Sequence, residues 1–188
     1  MRDDFKPYVR YFEESVFSRI LKVISLFEKM EKDKVIENYV IGGATALSYY
    51  SSPTVTEDID VFITLNSKSF LINLAPIYEY IKQNSKAVEK GEYLIIEGIP
   101  VQLIVPESGI HEEACKSPTI VNEHGFKIKL FPIEYLMAIM IHLNKPKYKY
   151  RLSVIEEDEY DYDKLNIILK RYNLLEKWRK IKNEFWTI

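Results

Sequence analysis

The sequence predicts an α+β protein in which a mixed β-sheet is flanked by helices and followed by a helical C-terminal extension. Short apolar or alternating segments, which are typical of strands, lie near residues 58–64, 92–96, 101–105 and 126–131. Longer segments with apolar residues at helical spacing lie before, between and after them. A chain of 188 residues is expected to form a single domain, residues 1–188, that is helical from about residue 132 onward.

The composition is that of a water-soluble protein. The chain is 47% hydrophobic and 29% charged. Its net charge of −2 and pI near 6.0 argue against a protein that coats nucleic acid through bulk charge. The single cysteine, Cys115, excludes an internal disulfide and a cysteine-based zinc site. The N-terminus lacks an apolar signal core, and no apolar run is long enough to span a bilayer, so we expect a cytoplasmic protein without a membrane partner.

The N-terminal helix precedes the segment on which the functional interpretation depends, residues 39–64. Within residues 1–38, apolar side chains recur at helical spacing and predict an amphipathic helix that covers the sheet. The segment 39–64 then begins with a short apolar run and the pair Gly42-Gly43. A short helix is predicted from Ala44 to Tyr50, and a strand follows it.

Two acids stand at the start of that strand. Side chains of a strand alternate between faces, so Asp58 and Asp60 are expected on the same face. Their Cα atoms would lie about 6.6 Å apart, close enough for the two carboxylates to share a hydrated divalent cation. Without a cation or another partner they would repel each other.

The glycine pair has a different use. Gly42 and Gly43 before a helix allow the backbone to approach a ligand closely. The first amides of a helix are unpaired, and the helix dipole favours an anion there. The segment therefore predicts a site that holds a phosphate at one end and a metal at the other.

This ordered combination resembles the nucleotidyltransferase superfamily that includes DNA polymerase beta. The resemblance is carried by Ile41-Gly42-Gly43 and Asp58-Ile59-Asp60, and within the superfamily the chain looks most like the minimal nucleotidyltransferases and the AbiEii-type toxins. Those proteins often have an arginine where this chain has Thr54. A further likeness is the segment from Phe131 to Tyr148, although the aspartate that often closes the pattern is missing.

The resemblance implies metal-dependent transfer of a nucleoside monophosphate from a nucleoside triphosphate, such as ATP, to a hydroxyl or other acceptor. Asp58 and Asp60 would be the catalytic residues and the ligands of Mg²⁺ or Mn²⁺. Gly42, Gly43 and Thr45 would bind the nucleotide phosphates. The acceptor in this superfamily can be a tRNA, a protein or a small molecule, and the toxin likeness implies a cognate antitoxin as partner.

The chain departs from the superfamily at Gln102, where a third carboxylate is usual. A glutamine offers a neutral carbonyl oxygen and cannot act as a base. Three alternatives remain open: the enzyme works with one well-held metal, Glu97 or Glu107 replaces the third acid, or the protein binds nucleotide or a partner protein without turnover. A soluble α+β domain without a nucleotide site is the remaining interpretation.

Other candidate residues lie in the second half of the chain. The residues from 106 to 125 contain Pro and Gly and predict an irregular connection, in which His111 and His124 are expected to face solvent. His142 is expected to be partly buried in an apolar helix that begins at Pro132.

A basic run follows that helix. Lys145 and the alternating cations as far as Arg151 could bind a triphosphate or an RNA backbone, and Lys145 is our candidate nucleotide ligand. The run could equally be the solvated end of the helix. Asp161 is predicted to cap the first of two final helices, residues 165–172 and 174–185.

Overall fold

The computed structural model describes residues 14–51, 58–66, 72–106, 109–123 and 125–186. Within these residues the chain forms eight α-helices and one seven-stranded mixed sheet, which confirms the predicted α+β class. Thr54, Glu107 and His124, which were considered above, lie outside the described residues.

The elements follow one another along the chain as follows. The strands are β1 (Asn38–Ile41), β2 (Ile59–Thr64), β3 (Val88–Lys90), β4 (Tyr93–Ile96), β5 (Ile99–Ile104), β6 (Thr119–Glu123) and β7 (Phe126–Leu130). The helices are α1 (Glu14–Lys32), α2 (Gly43–Tyr50), α3 (Ala75–Asn84), α4 (Ile110–Lys116), α5 (Ile133–Leu143), α6 (Pro146–Ser153), α7 (Tyr162–Arg171) and α8 (Leu175–Trp186). A short 3₁₀ turn, Glu157–Glu159, lies between α6 and α7.

The sheet is mixed because its central strands run in different directions. The spatial order is β3-β4-β5-β2-β1-β7-β6. β2 is antiparallel to β1 and parallel to β5, while β1 is parallel to β7. The hairpins β3-β4-β5 and β6-β7 extend the sheet to its two edges. β2, which carries the predicted acids, therefore lies in the middle of the sheet.

The two faces of the sheet have different coverings. Tyr39 of β1 lies opposite Ile63 of β2 and packs against Phe27 of α1, with ring centroids 5.9 Å apart. The amphipathic helix α1 therefore covers this face, as predicted. Since side chains alternate along a strand, Asp60 and Phe62 point to the opposite face. Phe62 contacts Phe131 there, at 4.5 Å between centroids, on the side where α5 packs.

The helical C-terminal part is organised around α5, which contacts α2, α4, α6, α7 and α8. Glu134 in its first turn is only 6% exposed. One of its carboxylate oxygens accepts a hydrogen bond from the amide of Asp161 at 3.1 Å, and the other lies 2.8 Å from the Lys164 ammonium. Asp161 caps α7 by accepting from the amide of Lys164, as predicted. No helix in the described ranges is both long and apolar enough to cross a membrane.

Three segments differ from what the local sequence pattern indicates. Residues 84–91, whose charges and Gly91 predict a turn, contain the edge strand β3, whose residues are all exposed and which is held by pairing with β4. The connection expected to be irregular contains α4 and β6. The basic run after α5 is a helix of its own, α6, which begins at Pro146. In the first two segments β3 and β6 are held by pairing with the strand that follows each of them, and α4 packs against α5. The local pattern of these segments does not show such partners.

Candidate active site

The two predicted acids line one cavity of about 520 Å³ on the α5 side of the sheet. Asp60 is the second residue of β2, and Asp58 lies in the bend directly before that strand. The hydroxyl of Thr45 donates to the carbonyl oxygen of Asp58 at 3.1 Å, and this bond ties the bend to α2. The structure therefore brings both carboxylates to the same cavity, on one face of the sheet.

Gly43 is in direct contact with Asp60. It begins α2 with φ of +58°, a left-handed conformation in which a side chain is strained. A Cβ atom built at Gly43 would lie 1.8 Å from Oδ2 of Asp60, so only glycine allows the carboxylate to occupy this place. The start of α2 and the acid of β2 therefore belong to the same site.

Gly42 and Thr45 have structural contacts of their own. The amide of Gly42 donates to the carbonyl oxygen of Asp60 at 2.9 Å, and a Cβ atom at Gly42 would lie 2.5 Å from the ring of Phe62. Neither Gly42 nor Thr45 is among the residues that line the cavity. Of the predicted residues of α2 and its turn, only Gly43 faces the cavity.

Gln102 occupies the place expected for the third carboxylate. In the parallel pair of β2 and β5 it lies directly beside Asp60, and its side chain lines the cavity. Glu97 does not replace it. Glu97 lies in the turn before β5, pairs with Lys22 at 3.4 Å and is not part of the cavity lining. Glu97 lies in the tight turn that precedes β5, and the extended stretch from Ile99 to Gln102 alone spans about 10 Å.

Tyr93 was not predicted as a site residue. Leu94 pairs with Val101 in the antiparallel β4-β5 hairpin, so Tyr93 is next to Gln102, and both side chains line the cavity. The negative charge of Glu92, burial and Asp58 together raise the pKa of Tyr93. The position of Tyr93 depends on strand pairing, and no motif marks it in the sequence.

Two cations of α6 face the acids across the cavity. Lys147 and Arg151 are four residues apart, hence on one side of the helix, and both line the cavity. Both also lie close to the ring of Tyr148, at 5.0 and 5.8 Å from its centroid. Burial, and then the charge of Asp58, raise the pKa of Asp60, while Lys147 and Arg151 lower it. The cavity thus has an acidic side and a basic side.

Lys145 is not part of this basic side. It is the exposed N-cap residue of α6 and is absent from the cavity lining. Lys149 points elsewhere as well, because it pairs with Glu184 of α8 at 2.7 Å. The spacing of Lys147 and Arg151 could have selected them from the basic run, had the run been identified as a helix.

The remaining wall is apolar and includes His111. Its ring stacks on Phe62 at 5.4 Å with an interplanar angle of 15°, and lies 6.4 Å from Phe131. The expectation that His111 faces solvent was wrong, because α4 directs it into the cavity. Burial, and then the nearby His142, lower its pKa. His142 is exposed, and the expectation that it would be partly buried was also wrong, because it faces outward from α5.

The acids fit a magnesium-type ion better than a transition metal. In the described part of the chain no group of three or more His, Cys, Asp or Glu side chains could hold a metal ion. Mg²⁺ is commonly bound by one or two carboxylates, and waters and substrate phosphates complete its shell. Burial, and then the charge of Asp58, raise the pKa of Asp60, and a bound cation would relieve the repulsion between the two carboxylates.

Comparisons with known proteins bear on the fold. No protein-family model matches the sequence. No curated protein matches it. An antigenic nucleotidyltransferase-like protein from Paracoccidioides brasiliensis is similar in structure, with a TM-score of 0.55 and 18% identity over 88% of this chain and 91% of the other.

Two further solved structures are more distant. One is a Thermotoga maritima protein proposed to be a nucleotidyltransferase, with a TM-score of 0.47 and 20% identity over 77% of this chain and 94% of the other. The second is the antibiotic-resistance factor ANT(2'')-Ia, with a TM-score of 0.43 and 9% identity over 87% of this chain and 97% of the other. The TM-scores of these two structures are too low to support a conclusion about this chain. The likeness to the Paracoccidioides protein, together with the mixed sheet, shows that this chain has a nucleotidyltransferase-like fold.

Proposed function

We propose that this protein transfers a nucleoside monophosphate from a nucleoside triphosphate to an acceptor, in a metal-dependent reaction at the cavity described above. The observation that carries the proposal is the contact between Gly43 and Asp60. It joins the start of a helix, where phosphate is favoured, to a pair of acids, where a cation is favoured. The nucleotidyltransferase-like fold supports the same function.

The residues of the chain would divide the work as follows. Asp58 and Asp60 would hold Mg²⁺ or Mn²⁺, and the ion, when bound, would neutralise charge on the reacting phosphates. The amide of Gly43 and the next amides of α2 point toward the cavity end of the helix and would bind phosphate oxygens. Lys147 and Arg151 would bind the rest of the triphosphate from the opposite side.

The shape of the cavity suits a nucleoside beside those phosphates. Its apolar wall is formed by the stacked rings of Phe62 and His111 together with side chains of α5, and Tyr148 lies between the two cations. Aromatic faces of this kind stack on nucleobases without selecting strongly among them. ATP and the other nucleoside triphosphates are therefore all candidate donors.

The proposal names only the kinds of molecule that could accept the nucleoside monophosphate. A tRNA, a protein or a small molecule would each supply a hydroxyl, and an antitoxin would be a partner if the likeness to the AbiEii-type toxins extends to biology. The local basic face formed by Lys147 and Arg151 lies inside the cavity and would be used by the donor. It therefore does not favour one acceptor over another.

A second function is a nucleotide-binding or partner-binding protein without catalysis. The observation that favours it is Gln102, which lies beside Asp60 where an acid would complete the ligand set. A neutral amide cannot take a proton from an acceptor. Glu97 is too far away to replace it.

The two functions can be separated by a transfer assay. Wild-type protein and Asp60→Asn would be incubated with nucleoside triphosphates labelled at the α-phosphate, with Mg²⁺ or Mn²⁺, and with total RNA or total protein as acceptor. We expect label transfer by the wild type and none by Asp60→Asn. Exposed Glu79→Gln on α3 serves as the control variant and should transfer like the wild type.

The failure of the wild type to transfer label under every condition, while it still binds nucleotide, would favour the non-catalytic function. Equal transfer by wild type and Asp60→Asn would show that the chemistry does not occur at this cavity. A folded state of both variants, checked by circular dichroism, is needed before either result is interpreted.

A further inference from the structure

The cavity contains a hydroxyl of its own beside the acids. The side chains of Asp60, Gln102 and Tyr93 lie next to one another across β2, β5 and β4, in one row along the sheet. Tyr93 lies at the end of this row, and its side chain lines the same cavity as those of Asp58 and Asp60. Tyr93 is therefore the residue of the row that places an oxygen nucleophile among the groups assigned to phosphate chemistry.

The position of this hydroxyl is that of an attacking group. In phosphoryl transfer the acceptor hydroxyl has to be held beside the carboxylates that neutralise the reacting phosphate, and it gives up its proton there. Tyr93 thus supplies an acceptor hydroxyl in the cavity that holds these acids, without any external group.

The surroundings of Tyr93 leave room for a modified side chain. The residue begins β4 directly after the turn at Gly91 and is only partly buried. A Cβ atom at Gly91 would meet nothing within 4 Å, so there is open space beside that residue. The Tyr93 side chain lines a cavity of about 520 Å³.

We propose that Tyr93 is a site of self-nucleotidylation, at which the protein transfers a nucleoside monophosphate to its own tyrosine. The Tyr93 Oη attacks the α-phosphorus of a bound nucleoside triphosphate, and a bond forms between these two atoms. The bond from the α-phosphorus to the oxygen bridging to the β-phosphorus breaks, and pyrophosphate leaves with that electron pair. The phenolic proton passes to solvent, and the product is a tyrosyl phosphodiester.

The modification rests on the proposed function, because it uses the same donor and the same acids. It would also block that function afterwards. A nucleotide attached to Tyr93 would occupy the cavity that the next donor molecule needs. The modified protein is therefore expected to bind free nucleoside triphosphate less tightly than the unmodified protein.

The experiment uses the full chain with ATP, GTP, CTP and UTP in turn, each labelled at the α-phosphate, in Mg²⁺ or Mn²⁺. We expect label on the protein band, and a peptide containing Tyr93 that is heavier by one nucleoside monophosphate. Tyr93→Phe should lose the label. Tyr150→Phe, which removes an exposed hydroxyl of α6 outside the cavity, should keep it. The label should be absent when it is placed on the γ-phosphate, because that phosphate leaves in pyrophosphate.

The outcomes separate this proposal from the proposed function. Label on Tyr93→Phe equal to that on the wild type, label from the γ-phosphate, or a modified peptide without Tyr93 would each overturn self-nucleotidylation. Transfer to RNA or to another protein without label on this chain would also overturn it, and the proposed function would stand. A lack of transfer to any acceptor would contradict both.

Discussion

At the scale of single residues, Gly43 carries the most specific steric requirement of the site. Its left-handed conformation and its contact with Asp60 both exclude a side chain. The glycine pair was visible in the sequence, but the different roles of Gly42 and Gly43 were not. Gly42 is needed for packing against Phe62, and only Gly43 faces the acid. The two roles differ because Phe62 and Asp60 of β2 lie against different glycines, and this arrangement cannot be read from the sequence.

Gly43→Ala should therefore destabilise the protein and impair nucleotide binding. The left-handed conformation costs about 1–2 kcal/mol for alanine, and the clash with Asp60 adds about 1–3 kcal/mol. Gly91→Ala is the matched control, since Gly91 also has positive φ but no neighbour within 4 Å. Chemical denaturation of both variants measures the difference. Equal losses of stability would show that Gly43 and Asp60 are not in contact.

Asp60 itself should lower the stability of the metal-free protein near neutral pH. Burial and the charge of Asp58 raise its pKa above the ordinary value of 3.8, so the folded state keeps the proton to higher pH than the unfolded chain does. The free energy of unfolding consequently falls as pH rises through that interval, and it stays lower above it. Asp60→Asn should remove this loss.

The measurement compares the free energies of unfolding of wild type and Asp60→Asn from acidic to neutral pH, without metal. The advantage of Asp60→Asn should increase with pH. Glu79→Gln, at an exposed position, should stay within about 0.5 kcal/mol of the wild type at all pH values. A lower stability of Asp60→Asn at neutral pH would mean that the carboxylate is structural.

Gln102 gives the prediction that separates an active site from a silent one. Gln102→Asp places an acid beside Asp60. In an active site it should tighten Mg²⁺ binding about tenfold, which is about 1.4 kcal/mol, and raise the transfer rate. In a silent site it should only add repulsion and lower stability in metal-free buffer. Titration with Mg²⁺ and the transfer assay, each beside the wild type, give opposite signs for the two cases.

At the scale of elements, the orientation of α6 determines which cations of the basic run line the cavity. The sequence showed a basic run, from which Lys145 was selected, but the helical period places Lys147 and Arg151 toward the acids. Lys145 lies outside the cavity because Pro146 begins a new helix, and the run was not identified as a separate helix from the sequence. A helix boundary at Pro146 would have indicated Lys147 and Arg151 as the pair on one side of the helix.

Lys147→Gln and Arg151→Gln should each weaken nucleoside triphosphate binding by about tenfold or more, since a charge-assisted hydrogen bond contributes about 1.5–3 kcal/mol. The dependence of affinity on salt should decrease in both variants. Lys149→Gln is the control on the same helix, because Lys149 pairs with Glu184 and is not part of the cavity lining. Affinities measured by calorimetry at two salt concentrations test this. An equal loss in Lys149→Gln would contradict the assignment.

Four of the seven strands that the structure describes were predicted. β2, β4, β5 and β7 followed from their apolar patterns, whereas the interior strand β1 was noted only as a short apolar run. The place of Gln102 beside Asp60 followed from the resemblance. β3 and β6 were missed because short edge strands are held by pairing, which local pattern does not record. Tyr93 was missed for the same reason, since the hairpin alone brings it to the acids.

At the scale of the whole molecule, the site is assembled from distant parts of the chain. The acids come from β2, the glycine from α2, the cations from α6 and the stacked histidine from α4. α5 holds these parts together, and its buried Glu134 ties the C-terminal helices to it through Asp161 and Lys164. The function of the cavity therefore depends on the sheet and on the helical extension together.

The most direct test of the central claim is the thermal unfolding of the wild type and of Asp58→Asn and Asp60→Asn, with nucleoside triphosphate, with Mg²⁺ and with both. Ligand at 100 times its dissociation constant stabilises the folded state by about 2.7 kcal/mol, which is about 5–10 °C for a chain of this size. The wild type should show this shift only when both are present. The two variants should be folded and show no shift. A shift that is independent of Mg²⁺, or that is equal in all three proteins, would contradict the claim that these acids form a metal-dependent nucleotide site.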